Sequence, residues 1–214
     1  MTQSPIIILG AGGHTKVLID VLLSQSKILL GITDPDPANL GENILSVPVI
    51  GDDYVITAYN HTLIQLVNGV GTITKRQQLF NTFKSLGYKF ASVVHDFAML
   101  SKEIDLCEGV QIMAGSVIQP GSKIGTNSII NSRVSIDHDT IVGSHVHVAP
   151  GATISGGVQI GDGVLIGAGA TIIQGIKIGS NAIVAAGAVV IEDVPDGSTV
   201  MGVPARVVPH YKVV

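Results

Sequence analysis

The sequence predicts two folds in one chain, a small Rossmann-like parallel α/β domain over residues 1–96 and a parallel β-helix of hexapeptide repeats over residues 97–214. The β-helix follows from aliphatic residues that recur at every sixth position between Leu100 and Val190. The α/β domain follows from short apolar runs that alternate with helical spacing and Gly-rich turns. The composition agrees with a narrow interior, since aromatic residues are 4% of the chain and Trp is absent.

Hydrophobic patterning predicts each element of the first domain in turn. Strands are expected at Ile6–Leu9, Lys27–Ile32, Val47–Ile50, Leu63–Val67 and Phe90–Val94, and helices at Lys16–Leu23 and Arg76–Leu86. In the second helix Leu79, Phe83 and Leu86 share one stripe, and Gly87 is the expected C-terminal cap. Alternating strands and helices with tight glycine turns indicate a parallel sheet.

The second domain is defined by sixteen aliphatic residues at a period of six, each followed four positions later by a small or branched residue. A period of six fits neither a helix nor a hairpin strand, and it is typical of a β-helix whose coils contain three hexads. Sixteen hexads give about five coils. The glycines of the Ile-Gly pairs at 124–125, 160–161, 166–167 and 178–179 are expected at bends that need a positive φ.

Charge, length and cysteine content exclude several classes of function. A net charge of −4 argues against nucleic acid as a partner. The first residues lack the charge and the apolar length of a secretory leader, and no apolar run is long enough for a membrane span, so a cytoplasmic protein with no membrane partner is expected. The single Cys107 excludes an intrachain disulfide and is expected to be a small buried side chain.

The loop Gly10-Ala-Gly-Gly-His14 follows a strand and precedes a helix, where backbone N–H groups can bind a phosphate. As a dinucleotide fingerprint it lacks the third glycine, because Thr15 occupies that position, which disfavours an NAD oxidoreductase. Asp34 and Asp36 end the second strand near the expected ligand crevice. Either carboxylate is a candidate for contacting a sugar, ribose or base, or for forming an Asx turn.

His138 lies between two carboxylates, Asp137 and Asp139, in the β-helix. A carboxylate beside an imidazole raises its basicity and fixes its tautomer, as a general base requires. Adjacent side chains on a flat strand point apart, so this pairing needs a bend between the two residues. A zinc hydrase is the competing chemistry, but no two histidines of the β-helix are eighteen residues apart, the spacing of ligands stacked one coil apart.

Several motifs taken together resemble a known family. They are Leu9-Gly-Ala-Gly-Gly-His14 with Lys16-Val17, Gly31-Ile-Thr-Asp34, Asn68-Gly-Val-Gly71 with Arg76, Ile130-Asn-Ser132, Asp137-His-Asp139, His145-Val-His-Val-Ala-Pro-Gly-Ala152 and Gly202-Val-Pro-Ala205. The chain resembles the bacterial sugar acetyltransferases of the NeuD/PglD family, which contains sialic acid O-acetyltransferases and bacillosamine-pathway N-acetyltransferases. The resemblance implies a left-handed β-helix, a homotrimer and active sites between neighbouring subunits.

The resemblance also implies roles for individual residues. His138 matches the catalytic base and Asp139 the acidic residue that raises its basicity. Acetyl-CoA contacts are expected at His147, Ala168 and Ala186. Apart from the resemblance, the Gly-rich bend Ser155-Gly156-Gly157 offers Gly156 as a candidate oxyanion donor to the bound thioester. Substrate contacts are expected at Gly12, Gly13, His14, Asp34, Gly71 and Asn131. No metal is expected. Thr15 and Pro35 depart from the family pattern and leave the identity of the sugar open.

The expected reaction is acetyl transfer from acetyl-CoA to a sugar, with His138 taking the proton of the acceptor. The favoured acceptor is a nucleotide-linked 4-amino-4,6-dideoxy sugar of bacterial surface glycan biosynthesis, because the Gly10–His14 loop suits a diphosphate. O-acetylation of a sialic-acid-type sugar is the alternative. A binding protein with an inactive site is disfavoured because His138 and Asp139 are both present.

Overall fold

A computed structural model describes residues 4–208 of the chain. The chain forms two compact units that divide between Val93 and Val94, three residues before the boundary expected from the sequence. The first is an α/β unit and the second is a left-handed parallel β-helix. The predicted fold class is therefore confirmed.

The α/β unit contains six strands and two α-helices. In chain order these are β1 Ile6–Leu9, α1 Gly13–Ser24, β2 Leu29–Thr33, β3 Asn43–Ile44, β4 Val47–Gly51, β5 Gln65–Asn68, α2 Ile73–Ser85 and β6 Lys89–Phe90. Two short 3₁₀-helices that the patterning did not predict lie at Pro37–Asn39 and Asp53–Ala58.

The sheet of this unit has the strand order β3-β4-β2-β1-β5-β6, and all its pairs are parallel except β3 with β4. Its central strand β1 is a continuous apolar run in which every residue is buried, as expected for a parallel strand covered on both faces. The chain moves outward from β1 to β2 on one side and later to β5 on the other. Ligands of open α/β sheets bind at the carboxyl ends of strands that flank such a reversal.

Both helices begin earlier than the patterning predicted, and their buried faces differ from it. In α1 the helical spacing of apolar residues includes Val17, but its side chain is exposed, whereas Ile19 is fully buried. In α2 the buried side chains are Arg76, Phe80 and Phe83, and Leu86 is 49% exposed at the C-cap. Gly87 follows with φ of +88°, so the expected glycine ending is present.

The β-helix is built from two-residue strands. They are β7 Val93–Val94, β8 Met99–Leu100, β9 Asp105–Leu106, β10 Gln111–Ile112, β11 Val117–Ile118, β12 Lys123–Ile124, β13 Ile129–Ile130, β14 Ser135–Ile136, β15 Ile141–Val142, β16 His147–Val148, β17 Thr153–Ile154, β18 Gln159–Ile160, β19 Leu165–Ile166, β20 Thr171–Ile172, β21 Lys177–Ile178, β22 Ile183–Val184 and β23 Val189–Val190. The hairpin strands β24 Thr199–Gly202 and β25 Ala205–Val207 follow.

Every third strand pairs in parallel, which produces three sheets. The first sheet contains β7, β10, β13, β16, β19 and β22 and ends with the hairpin, the second contains β8, β11, β14, β17, β20 and β23, and the third contains β9, β12, β15, β18 and β21. Paired residues such as Ile118 and Ile136 are one coil apart. The aliphatic residues of the hexads are buried from Ile112 onward, whereas Leu106 in the first coil is 36% exposed.

From the hexad of Leu106 to that of Val184, one residue of each hexad adopts a left-handed conformation, and it is not the glycine that the sequence suggested. The positive-φ glycines include Gly121 and Gly157, whereas those of the Ile-Gly pairs are absent from this set. The glycine in an Ile-Gly pair serves a packing need instead. A Cβ at Gly125 would overlap the backbone of Gly143 in the next coil.

Two further findings concern the surface. Cys107 is exposed, so the expectation of a buried side chain was wrong. The residue lies in the turn after β9, in the first coils, where even the inward Leu106 is incompletely covered. Within residues 4–208 no helix has the length and hydropathy that a membrane crossing requires.

Candidate active site

The turn after β14 brings His138 and Asp139 into direct contact. Asp139 has φ of +57°, and this left-handed residue supplies the bend that the pairing requires. Nδ1 of His138 lies 2.8 Å from Oδ2 of Asp139, whereas Oδ1 of Asp137 accepts a hydrogen bond from the backbone N–H of His138 at 2.8 Å. Asp139 therefore orients the imidazole, and Asp137 stabilises the turn.

The two carboxylates make the imidazole more basic. The hydrogen bond that the His138 ring donates to Asp139, followed by the negative charge of Asp137, raises the pKa of His138 above its ordinary value. Both partners are accessible, with 62% of the His138 side chain and 72% of the Asp139 side chain exposed. With Nδ1 engaged by the carboxylate, Nε2 is the ring nitrogen that can take a proton from a substrate.

Gly156 lies one coil beyond His138 and contacts its ring. A Cβ at this position would lie 2.6 Å from Nε2 and 2.7 Å from Cε1 of His138. The backbone N–H of the following residue, Gly157, donates to the carbonyl of His138 at 2.9 Å. Among the described residues, no hydrogen-bond acceptor is found for the N–H of Gly156 itself.

The other acetyl-CoA candidates lie along the first sheet and the turn that follows it. The amide nitrogen of Asn131 lies 3.3 Å from Nε2 of His147 on β16. Ala168 and Ala186 are exposed and stack one coil apart, linked by a 2.8 Å bond from the Gly187 N–H to the Ala168 carbonyl. His138 follows the second sheet instead, so one chain carries the two groups at different corners of its coils.

The contacts of His145 indicate a structural role, although the residue is only two positions from His147. It is buried with φ of +60°, and its Nδ1 lies 2.9 Å from the amide nitrogen of Asn127 one coil before it. Such a histidine stabilises its turn and does not extend the His138 site.

The predicted substrate residues of the α/β unit line one cavity of about 410 Å³. It lies at the carboxyl ends of β1, β2 and β5, where the strand order reverses. All five sequence candidates are present, together with Thr72 and Lys75, which the analysis of the sequence missed; the five are Gly12, Gly13, His14, Asp34 and Gly71. A cation one turn into the helix after a Gly-Val-Gly loop was the available signal for Lys75.

Three glycines of this cavity are not required by the fold. A Cβ at Gly12, Gly13 or Gly71 would meet nothing within 4 Å, and none of the three has a positive φ. Gly10 differs, because it has φ of +86° and a Cβ there would lie 2.7 Å from Val70. The three unconstrained glycines leave open space beside backbone N–H groups at the starts of α1 and α2, as a close-fitting anionic ligand requires.

Buried polar side chains fix the two glycine loops of the cavity. The Thr15 hydroxyl donates to the Gly10 carbonyl at 2.5 Å. Nη1 of Arg76 donates to the Gly71 carbonyl at 2.8 Å, and burial lowers the pKa of Arg76 to about 10. Thr15 thus has a structural reason to occupy the place of the dinucleotide-fingerprint glycine.

Asp34 and Asp36 form local turns, each with a carboxylate oxygen bound to the backbone N–H two residues ahead. Asp34 also borders the cavity and a second hollow of about 340 Å³ that extends to Leu40, Val49 and Asp52. The two cavities share Asp34 and Pro35, so a ligand in the first has room to extend past them.

Other parts of the described chain provide weaker candidates for a functional site. A hollow of about 640 Å³ on the third sheet, near Gln159, Lys177 and Asp193, contains none of the candidate site residues. Within residues 4–208 no group of three or more His, Cys, Asp or Glu side chains is placed to bind a metal ion.

Comparison with known proteins places these sites in a family. Residues 5–83 match the PglD N-terminal domain, and residues 157–192 match the bacterial transferase hexapeptide repeats. The perosamine N-acetyltransferase of Caulobacter crescentus, solved as a variant with CoA and GDP-perosamine, is 35% identical with a TM-score of 0.91, over 96% of this chain and 97% of that one. The chain belongs to the PglD family of hexapeptide-repeat sugar acetyltransferases.

Two other members of the family superpose over nearly the whole chain. The acetyltransferase domain of PglB from Neisseria gonorrhoeae, solved with acetyl coenzyme A, is 31% identical with a TM-score of 0.90, over 97% of this chain and 100% of that domain. WeeI from Acinetobacter baumannii is 26% identical with a TM-score of 0.87, over 95% and 99%. The family and the enzyme class expected from the sequence are confirmed.

Proposed function

We propose that this protein transfers the acetyl group of acetyl-CoA to the amine of a nucleotide-linked amino sugar, with His138 as the general base. The observation that carries the proposal is the His138–Asp139 pair, whose exposed imidazole has one nitrogen bound to a carboxylate and the other available. The close similarity to an N-acetyltransferase solved with CoA and GDP-perosamine supports an amine acceptor over the hydroxyl of a sialic-acid-type sugar.

The reaction follows from the chemistry of the imidazole. The amine nitrogen attacks the thioester carbonyl carbon and forms the new C–N bond, while Nε2 of His138 takes the proton of the amine. The tetrahedral intermediate then collapses with cleavage of the C–S bond, and the same proton passes to the departing CoA sulfur. The Gly156 N–H, which has no acceptor among the described residues, is our candidate donor to the oxyanion.

The α/β unit is our candidate site for the nucleotide sugar. The diphosphate would lie against the loops that contain Gly12, Gly13 and Gly71, close to the charge of Lys75. The adjoining hollow past Asp34 offers space for the nucleoside. His14 lines the same cavity and is proposed to contact the substrate.

We also propose a homotrimer with active sites shared between neighbouring subunits. His138 and Asp139 lie at one corner of the coil, whereas His147, Ala168 and Ala186 lie at another, so acetyl-CoA would contact both groups across a subunit boundary. Asn131, a proposed substrate contact, is not among the residues that line the α/β cavity and lies beside His147. Ile141 on the third sheet is 45% exposed, and Val117, Ala149 and Ile173 on other outer surfaces are half-buried in the single chain. The cytoplasm, where acetyl-CoA is available, is the proposed location.

An acceptor competition tests the function. The protein would be incubated with acetyl-CoA and equal amounts of a GDP-linked 4-amino sugar, the UDP-linked form, the free amino sugar and a sialic acid, with products read by mass spectrometry. We expect acetylation of a nucleotide-linked amine. Preferential acetylation of the sialic acid would establish O-acetylation instead, and transfer to the free sugar alone would remove the diphosphate role of the cavity.

A further inference from the structure

Two glycines from neighbouring coils stand on either side of the His138–Asp139 pair. Gly121 lies one coil before Asp139, and a Cβ there would lie 2.5 Å from Oδ1 of that carboxylate. Gly156 lies one coil after His138, and a Cβ there would come within 2.6–3.1 Å of three atoms of the imidazole. Contacts under 3.0 Å at a Cβ do not occur in folded proteins, so one partner would have to move.

We propose that Gly121 and Gly156 are positioning residues of the acetyltransferase reaction, because their missing side chains hold the Asp139 carboxylate and the His138 imidazole in contact. This inference rests on the proposed function. The missing side chain of each glycine acts through the pair, at Gly121 by leaving room for the carboxylate and at Gly156 by leaving room for the ring. For Gly156 this role is separate from that of its backbone N–H, the candidate donor to the oxyanion.

The backbone favours glycine at 121, where φ is positive, but requires it at neither position. Gly121 has φ of +77°, but the equivalent left-handed residue of other hexads is Asn127 at +55° and Asn181 at +57°. Gly156 is not among the residues with positive φ. Asparagine at 121 and alanine at 156 are therefore compatible with the coil, and what they meet is the movable end of a side chain.

The charges that face the imidazole determine whether a substitution raises or lowers the pKa of His138. Asp139 and Asp137 raise the pKa of His138, and Pro120, Gly121 and Gly156 on the neighbouring coils carry no charge. A side chain at 121 displaces the Asp139 carboxylate and leaves the more distant charge of Asp137. The pKa of His138 then falls, and we expect the decrease to be similar to that caused by Asp139→Asn.

The test compares Gly121→Asn with Gly197→Asn as a matched control. Gly197 is also left-handed, at +64°, and a Cβ there would meet nothing within 4 Å. We expect Gly121→Asn to lower the pKa of His138, followed by NMR of the imidazole, to the value found in Asp139→Asn, and to lower kcat by roughly tenfold. Gly197→Asn should match the wild type in both. A wild-type pKa in Gly121→Asn would overturn the proposal.

Gly156→Ala supplies an independent arm that keeps the backbone N–H. Its kcat should fall roughly a hundredfold, and in the His138→Ala background neither it nor Gly121→Asn should lower the residual rate further. Losses that add to that of His138→Ala would show a merely structural role and contradict the proposal. The NMR titration needs no substrate, so it decides the positioning claim even if the wild type transfers no acetyl group.

Discussion

At the scale of the residue, one left-handed position makes the chemistry available. On a flat strand the side chains of residues 138 and 139 would point apart. With φ of +57° at Asp139, its carboxylate turns back to Nδ1 of His138. Between Gly109 and Gly187 every hexad has such a position, and here an aspartate occupies it, whereas the equivalent position 157 in the next coil has a glycine. The residue that forms the turn is thereby the proposed partner of the proposed base, His138.

The pH dependence of turnover follows from this contact. Because the base must be neutral to accept a proton, kcat/KM decreases as the pH falls through the pKa of His138, which Asp139 raises. Asp139→Asn removes the charge at a position where asparagine keeps the left-handed conformation, so the acid limb should move to lower pH and kcat should fall. A pH–rate profile measures both, and an unshifted limb would mean that Asp139 has only a structural role.

At the scale of the element, the Gly10–His14 loop contains glycines that are needed for two different reasons. Gly10 is demanded by its positive φ and by Val70, whereas a Cβ at Gly12 would project into open space. We therefore expect Gly12→Val to fold normally and to raise the KM for the sugar nucleotide at least tenfold, because the new side chain takes up ligand volume. The KM for acetyl-CoA should be unchanged. Steady-state kinetics with each substrate varied in turn measures both values.

The matched variant is Gly10→Val, which should lower the thermal midpoint because its backbone is strained and its side chain overlaps Val70. Calorimetry and circular dichroism separate the two outcomes. If Gly12→Val lowers stability and spares the KM, the loop serves only the turn. If it weakens both substrates equally, the cavity is not the sugar-nucleotide site.

The repeat could be predicted from the sequence because a period of six admits few structures. The role of its Ile-Gly glycines was predicted wrongly, because the demand on Gly125 comes from the close approach of the Gly143 backbone one coil away and not from its own φ. The same limit applies to α2, where the local stripe favoured Leu79 and Leu86. Arg76 is buried there instead, because its guanidinium binds the loop at Gly71. Tertiary contacts of this kind leave no local pattern.

The residues of the candidate site also fall into those that the sequence identified and those that it did not. The sequence motifs identified His138, its two flanking carboxylates and five of the residues that line the α/β cavity. They left open which carboxylate contacts the ring, because that depends on the bend at Asp139. Lys75 was missed because a lysine in a helix is ordinary by itself, and its signal is its position just after the Gly69–Gly71 loop. The contact of Gly156 with the imidazole was also missed, since only the stacking of coils brings residues 138 and 156 together.

At the scale of the whole molecule, the placement of the two residue groups predicts the assembly. We expect a trimer by light scattering at micromolar concentration, with each active site formed from His138 of one subunit and His147 of the next. A monomeric mass would contradict this arrangement.

Mixed trimers test the shared site more sharply. His138→Ala and His147→Ala trimers should each be nearly inactive, but every trimer that contains both variants has one interface with both histidines intact. Equal mixing after reversible dissociation should therefore restore roughly a quarter of the wild-type activity. Mixed trimers no more active than the separate variants would place both histidines in the site of a single chain.

The variant His138→Ala decides whether His138 is the base of an acetyl transfer. Its turnover and its affinity for acetyl-CoA are both compared with those of the wild type. With a nucleotide-linked amino sugar as acceptor, we expect kcat to fall by roughly two to four orders of magnitude, while calorimetric titration gives an acetyl-CoA affinity close to that of the wild type. Near-normal turnover in the folded variant would contradict the account.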